Sequence, residues 1–201
     1  MLIIWGRLNS HNVKKVAWAA IEMDIPHRRI DIGGSFGFTP EYLAMNPNRL
    51  IPTIEDEGLV LWESNAILRY LADSYAPNFR SDDTRVRAAG DKWMDWQFQF
   101  ADAQRDAFLG CIRHGKDDTD PTVARSAQVV GTMMPILDRE LATRPWLSGE
   151  SFGIADIPMG VYAHTFFSLP IPRPPLPHVE EWYARLRTRP AYAETVMIPL
   201  T

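Results

Sequence analysis

The first eighty residues alternate between two hydrophobic periods, one typical of strands and one typical of helices. Leu2–Trp5 is a short apolar run that predicts a buried strand, and the apolar positions between Val13 and Ile21 recur at helical spacing. A second strand is predicted over His27–Ile32 because the helix must stop before Pro26. The pattern then predicts a short helix over Pro40–Met45, strands at Thr53–Glu55 and Leu59–Leu61, and a helix capped by Ser64.

The predicted order of elements is therefore β-α-β-α-β-β-α. One βαβ unit followed by a hairpin and a helix is the thioredoxin-like arrangement, which we predict for residues 1–77. Residues 78–83 are polar and form the predicted linker. Residues 84–201 carry helical patterns, beginning with a long helix capped by Thr84, so the second domain is predicted to be all-helical. The fold class is thus α/β followed by all-α.

Composition restricts the function further. The 201 residues are 46% hydrophobic and 23% charged, as in an ordinary globular protein. Lys and Arg together number 21 against 25 Asp and Glu, a net charge of −4, which argues against nucleic acid as a partner. Cys111 is the only cysteine, which excludes an internal disulfide and a multi-thiolate metal site. No apolar run is long enough to span a membrane, so we expect a soluble, cytoplasmic protein. We also expect no bound metal.

Polar residues lie between the first strand and the first helix, where a thioredoxin-like domain presents its ligand face. Ser10, His11 and Asn12 precede or open this helix, whose free amides and positive dipole end favour an anion. The alternative is that Ser10 or Asn12 is only a helix N-cap. When this segment is considered without the rest of the chain, the N-cap interpretation is favoured.

Two further features lie on the same predicted face. Pro52 stands just before a predicted strand. If the Ile51–Pro52 bond is cis, the backbone of Ile51 turns outward and can pair with a peptide-like ligand. The alternative is a trans turn proline, which is commoner in general. At the next helix, the Ser64 hydroxyl and free amides suit a carboxylate, and Glu63 can balance an ammonium group. A plain helix cap is again the alternative. Together, Glu63 and Ser64 suit the zwitterionic end of an amino acid.

Three segments together resemble the glutathione transferase superfamily in order and spacing. They are Gly6–Val16 (GRLNSHNVKKV), Pro40–Ile54 (PEYLAMNPNRLIPTI) and Leu61–Leu71 (LWESNAILRYL). Phe152–Asp156 (FGIAD) and Arg189–Tyr192 (RPAY) extend the likeness into the helical half. The resemblance implies that Gly153 is a helix N-cap, where the family usually has Ser or Thr, and Asp156 is expected to bond back to the backbone of this cap. The resemblance is to bacterial serine or asparagine types, theta-like or Nu-like, and implies a thioredoxin-like domain followed by the helical domain of this family.

The resemblance also implies roles for particular residues. Ser10 matches the serine that donates to the glutathione sulfur, and Asn12 an asparagine that shares or replaces that role. Ile51 and Pro52 match the pair whose backbone holds the cysteinyl part, while Glu63 and Ser64 match the γ-glutamyl clamp. Leu50 stands where many members of the family have a Lys or Gln that contacts the glycine end of glutathione. Arg49 is the candidate substitute.

The predicted activity is addition of glutathione thiolate to a small hydrophobic electrophile in a pocket between the domains. A hydrogen bond from Ser10 or Asn12, with the helix dipole, would favour the thiolate of glutathione, the co-substrate, without a general base. The alternatives are glutathione-dependent disulfide reduction, or a binding or regulatory protein that keeps the fold and has lost turnover. The resemblance further implies a cytoplasmic homodimer that serves detoxification.

Overall fold

Seven elements form the first half of the chain in the order that the hydrophobic pattern predicts. The computed structural model describes residues 1–201. The bounds differ from the prediction by at most two residues, most clearly where the second strand ends at Ile30 rather than Ile32. The elements are β1 Leu2–Trp5, α1 His11–Glu22, β2 His27–Ile30, α2 Pro40–Met45, β3 Thr53–Asp56, β4 Leu59–Trp62 and α3 Ser64–Tyr75.

The four strands form one mixed sheet in the order β2-β1-β3-β4. β1 runs parallel to β2, as the βαβ crossover through α1 requires, and Ile3 faces Arg28 in that register. β3 is antiparallel to both neighbours, with Ile54 opposite Ile4 on one side and Leu61 on the other. This is the predicted thioredoxin-like sheet, and it leaves β4 at one edge.

The second half of the chain is helical, as predicted. None of the helices is both long and apolar enough to cross a bilayer. A π-helical turn, Leu109–Arg113, ends the longest helix. The helices are α4 Thr84–Phe108, α5 Pro121–Leu141, α6 Asp156–Ser168, α7 Pro177–Arg187 and α8 Pro190–Thr195.

The predicted N-caps are wrong by one or two residues at three helices. α4 is capped by Asp83 rather than Thr84, because the Asp83 carboxylate accepts the Arg85 amide at 2.7 Å. Ser64 is the first residue of α3 rather than its cap, since the Glu63 carbonyl accepts the first helical bond from Ile67. α6 begins after Ala155 instead of Gly153.

The capping contact predicted between Gly153 and Asp156 nevertheless exists. The Asp156 carboxylate accepts the Gly153 amide at 3.2 Å. The reason for a glycine at this position is space, because a Cβ on residue 153 would lie 2.5 Å from the Phe79 carbonyl oxygen. A serine or threonine would therefore require the backbone around Phe79 to move.

α1 lies between the sheet and the helical half. Its residues from Val13 to Ala20 are all buried. Trp18 packs on Phe152 and Tyr192, with ring centroids 5.5 and 4.7 Å away. A single cluster of 41 buried apolar residues consequently draws on both halves of the chain, so α1 is anchored from two sides.

Candidate active site

The start of α1 presents a free hydroxyl. Ser10 is the N-cap residue, with an extended backbone at φ −78° and ψ 129°, and its carbonyl accepts the Lys14 amide at 2.9 Å. Its side chain, however, makes no capping hydrogen bond. Ser10 is thus the N-cap by backbone position, as the alternative expected, but its hydroxyl remains able to donate to a ligand at the positive end of α1.

The loop before β3 presents a free peptide unit. The Ile51–Pro52 bond is cis. No hydrogen bond outside the regular elements uses the amide or carbonyl of Ile51. The neighbouring Leu50 carbonyl, by contrast, accepts from the Tyr42 hydroxyl at 2.5 Å and from the Asn46 amide at 3.1 Å. Two buried side chains thus hold this loop while the polar groups of Ile51 stay free.

Arg49 and Leu50 lie on the exposed side of the same loop. Arg49 has a left-handed backbone, with φ 58°, and its side chain makes no hydrogen bond or ion pair. Leu50 is 62% exposed. No hydrogen bond or ion pair therefore joins either side chain to the other candidate residues.

The start of α3 meets the start of α1 through one hydrogen bond. The buried Ser64 hydroxyl donates to the Asn12 carbonyl oxygen, Oδ1, at 3.3 Å. Glu63, the residue before it, is exposed and has a left-handed backbone with φ 73°. Since Ser64 and Asn12 belong to two different predicted features, this bond joins them into one site.

A buried lysine that is not among the predicted site residues lies beneath these two residues. Lys15 is completely buried, and its ammonium donates to Ser64 Oγ at 3.3 Å, to Asn65 Oδ1 at 3.4 Å and to Gln97 Oε1. Burial lowers the pKa of Lys15 to about 7. The sequence contains one indication that Lys15 lies near the site, because Asn12 and Lys15 are three positions apart and therefore share a helix face.

The direction of these hydrogen bonds orients Asn12. An ammonium group can only donate, so Ser64 accepts from Lys15 and its own proton goes to Asn12 Oδ1. The Asn12 amide nitrogen, Nδ2, makes no hydrogen bond within the chain. Asn12, like Ser10, consequently has a donor free for a ligand.

A cavity of about 180 Å³ opens beside His11, the residue after Ser10. The His11 ring stacks on Tyr162 and lies nearly perpendicular to the ring of Phe108, both with centroids 4.9 Å away. Its Nε2 lies 2.7 Å from Thr165 Oγ1. Burial lowers the pKa of His11 to about 3, so the ring is neutral at pH 7. The cavity is lined by His11, Ala101, Asp102, Gln104, Arg105, Phe108 and Tyr162.

Comparisons with known proteins agree with this arrangement. Residues 9–74 match the glutathione S-transferase N-terminal domain, and residues 100–190 match the glutathione S-transferase C-terminal domain. The chain belongs to the glutathione S-transferase family. The predicted family, fold class and transferase assignment are thereby confirmed.

Individual relatives of this glutathione S-transferase cover nearly its whole length. Glutathione S-transferase GstB of Escherichia coli is 38% identical over 100% of both chains. Disulfide-bond oxidoreductase YfcG of the same organism is 33% identical over 88% of this chain and 85% of its own. The theta class glutathione S-transferase of Xanthomonas axonopodis pv. citri, crystallised with glutathione bound, has a TM-score of 0.93 and 46% identity, covering 100% of this chain and 99% of its own.

Proposed function

We propose that this family member is a cytoplasmic detoxification enzyme that adds the thiolate of glutathione to a small hydrophobic electrophile. The observation that carries the proposal is the Asn12–Ser64 hydrogen bond, which places the amino-terminal ends of α1 and α3 side by side. One tripeptide can therefore reach both ends at once. The bound glutathione in the Xanthomonas relative supports the choice of ligand.

Each part of glutathione has a matching group in the proposed site. Ser64 and the free amides of α3 receive the γ-glutamyl carboxylate, and Glu63 balances its ammonium group. The free amide and carbonyl of Ile51 pair with the cysteinyl backbone. Arg49, exposed on the same loop, is the proposed contact for the glycine carboxylate. Ser10 or Asn12 then donates to the sulfur.

The chemistry follows from the donors at α1. A free thiol has a pKa of about 8.5, so only a few per cent is thiolate at neutral pH. A hydrogen bond from Ser10 or Asn12 favours the thiolate, which attacks the electrophile; a carbon–sulfur bond forms as a leaving group departs. Ala101, Phe108 and Tyr162 supply the apolar part of the lining of the adjoining cavity, where we place the small apolar substrate.

Single variants at the two donors test this function. If Ser10 is the donor, Ser10→Ala should raise the pKa of bound glutathione by about one to two units and slow conjugation at neutral pH. Rates at high pH should largely recover, because the thiol then ionises unaided. The measurement is thiolate absorbance against pH for wild type, Ser10→Ala and Asn12→Ala, beside rates with an aryl halide.

Disulfide reduction is the second candidate, and the free amide group of Asn12 favours it. That group can donate to sulfur in place of Ser10, and the 33% identity to the disulfide-bond oxidoreductase YfcG points the same way. Under this alternative the pKa change moves to Asn12→Ala, and turnover of a small disulfide exceeds conjugation. An ordinary thiol pKa in the wild-type complex, together with neither activity, would leave only a non-catalytic binding protein.

We also propose that the protein is a homodimer. The edge strand β4 exposes three apolar side chains, Leu59, Val60 and Trp62, each 38–40% exposed. An uncovered apolar strand at a sheet edge is a surface that other chains cover. Light scattering at micromolar concentration should return twice the chain mass of 22.9 kDa, and a value near the single mass would contradict the dimer.

A further inference from the structure

In its protonated form, Lys15 carries a positive charge where the folded chain offers no negative partner in contact with it. Its side chain is 0% exposed, and its three hydrogen-bond acceptors, on Ser64, Asn65 and Gln97, are all neutral. None of the salt bridges in the structure includes it. Glu63 attracts the ammonium group from a distance, but its own side chain is exposed to solvent.

The surroundings of the ammonium group are otherwise aromatic. Its nitrogen lies 5.5 Å from the ring centroid of Phe98 and 5.6 Å from that of Tyr162, distances at which a ring face attracts a cation. These contacts and the neutral acceptors offset only part of the cost of removing an ammonium group from water, which is why burial lowers its pKa. A buried methionine would fill the same space at no such cost.

The neighbouring Lys14 shows that burial of a lysine in α1 need not serve a ligand. It is 2% exposed, and its ammonium donates to the Val196 carbonyl oxygen at 3.0 Å, on the side of α1 that faces the end of the chain. Lys15 instead points at the first two residues of α3. Ser64 is the residue at which the proposed function places a carboxylate.

We infer that Lys15 is a positioning residue of the glutathione site, whose ammonium group lies behind Ser64 and balances the charge of the γ-glutamyl carboxylate. The inference rests on the proposed function and adds a residue to it. Ser64 touches the carboxylate, while Lys15 polarises the Ser64 hydroxyl by donating to its oxygen. When the carboxylate arrives, the hydroxyl proton turns to it from Asn12, so the buried charge gains the partner that the free chain lacks.

A ligand-and-variant cycle tests the inference. Calorimetry would compare glutathione with the analogue 4-aminobutanoyl-cysteinylglycine, which lacks only the γ-glutamyl carboxylate, in wild type and in Lys15→Met. In wild type, removal of the carboxylate should weaken binding about a hundredfold; in Lys15→Met the same removal should cost about tenfold or less. A purely structural lysine would weaken both ligands equally and leave that ratio unchanged.

Lys14→Met is the matched control, because it removes a buried lysine from the same helix turn and should keep the wild-type ratio. Gln97→Glu is a second test variant, which keeps the Lys15 side chain in place. It places a carboxylate beside the Lys15 ammonium group inside the chain, so the ratio of the two affinities should again fall about tenfold.

Equal ratios in wild type, Lys15→Met and Gln97→Glu would overturn the role of Lys15 while leaving glutathione binding intact. Failure of the wild type to bind glutathione would instead overturn the proposed function and the inference with it.

Discussion

Acid should destabilise this protein through His11, although no reactive role is assigned to that side chain. The ring lies between Tyr162 and Phe108 and contacts Thr165, so α1 is attached there to α4 and α6. Its pKa falls from an ordinary 6.5 to about 3, chiefly because burial disfavours the charged ring. The perturbation is a change from pH 7.5 to pH 5, in wild type and in His11→Phe.

The sign follows from the number of protons that each state binds. Between pH 6.5 and about 3 the unfolded chain protonates His11 while the folded chain does not, so stability is lost as the pH falls. At pH 5, about 1.5 units below the unfolded pKa, a cost of about 1.4 kcal/mol per unit predicts a loss of about 2 kcal/mol in the free energy of unfolding. Phenylalanine keeps an aromatic ring and does not titrate, so His11→Phe should lack this component.

Urea unfolding at both pH values measures the effect. His164, whose pKa is lowered to about 4, titrates over the same interval, so the quantity of interest is the difference between wild type and variant. His114→Gln is the control, because His114 is exposed and should leave the wild-type pH dependence in place. If wild type and His11→Phe lost the same stability between pH 7.5 and pH 5, His11 could not be buried in its neutral form.

Two further predictions concern binding and stability. Ser64→Ala should weaken glutathione binding about tenfold to a hundredfold, because a charge-assisted hydrogen bond is lost. Calorimetry measures the affinity, and Ser74→Ala, at an exposed serine of the same helix, is the control. An unchanged affinity of Ser64→Ala would contradict the assignment of Ser64 to the γ-glutamyl clamp. Asp156→Ala should lower the free energy of unfolding by about 3–4 kcal/mol, because four hydrogen-bond donors lose their acceptor. Two of these donors, the Leu147 amide and Trp182 Nε1, lie 2.8 Å from the carboxylate. Urea unfolding measures it, and a loss below about 1 kcal/mol would show that water replaces the carboxylate.

Hydrophobic periodicity predicted most elements of this chain well because the helices and the central strands β1 and β3 each bury side chains in the core. It could not place the caps, since Asp83, Thr84, Glu63 and Ser64 are all plausible at a helix start and only backbone geometry separates them. The candidate ligand residues Ser10, Asn12 and Ser64 were named from local chemistry and family likeness, and the structure adds the hydrogen bond between the last two.

Lys15 was not foreseen, because a lysine beside another lysine on a helix ordinarily indicates a solvated face. Its burial depends on Gln97, more than eighty residues later in the chain, and no local pattern links the two. The fit of Gly153 against the Phe79 carbonyl is hidden from the sequence for the same reason, since it is set by the tertiary approach of two segments.

The position of α1 between the two halves has a consequence for how the protein can be divided. Trp18 packs against Phe152 and Tyr192, and Glu22 pairs with Arg189, so the helix that carries Ser10 takes much of its packing from residues late in the chain. The sheet half is therefore not an interchangeable module. A chimera that joined it to the helical half of a relative would have to transplant the partners of Trp18 and Glu22 with it, and the two halves should unfold in a single cooperative transition.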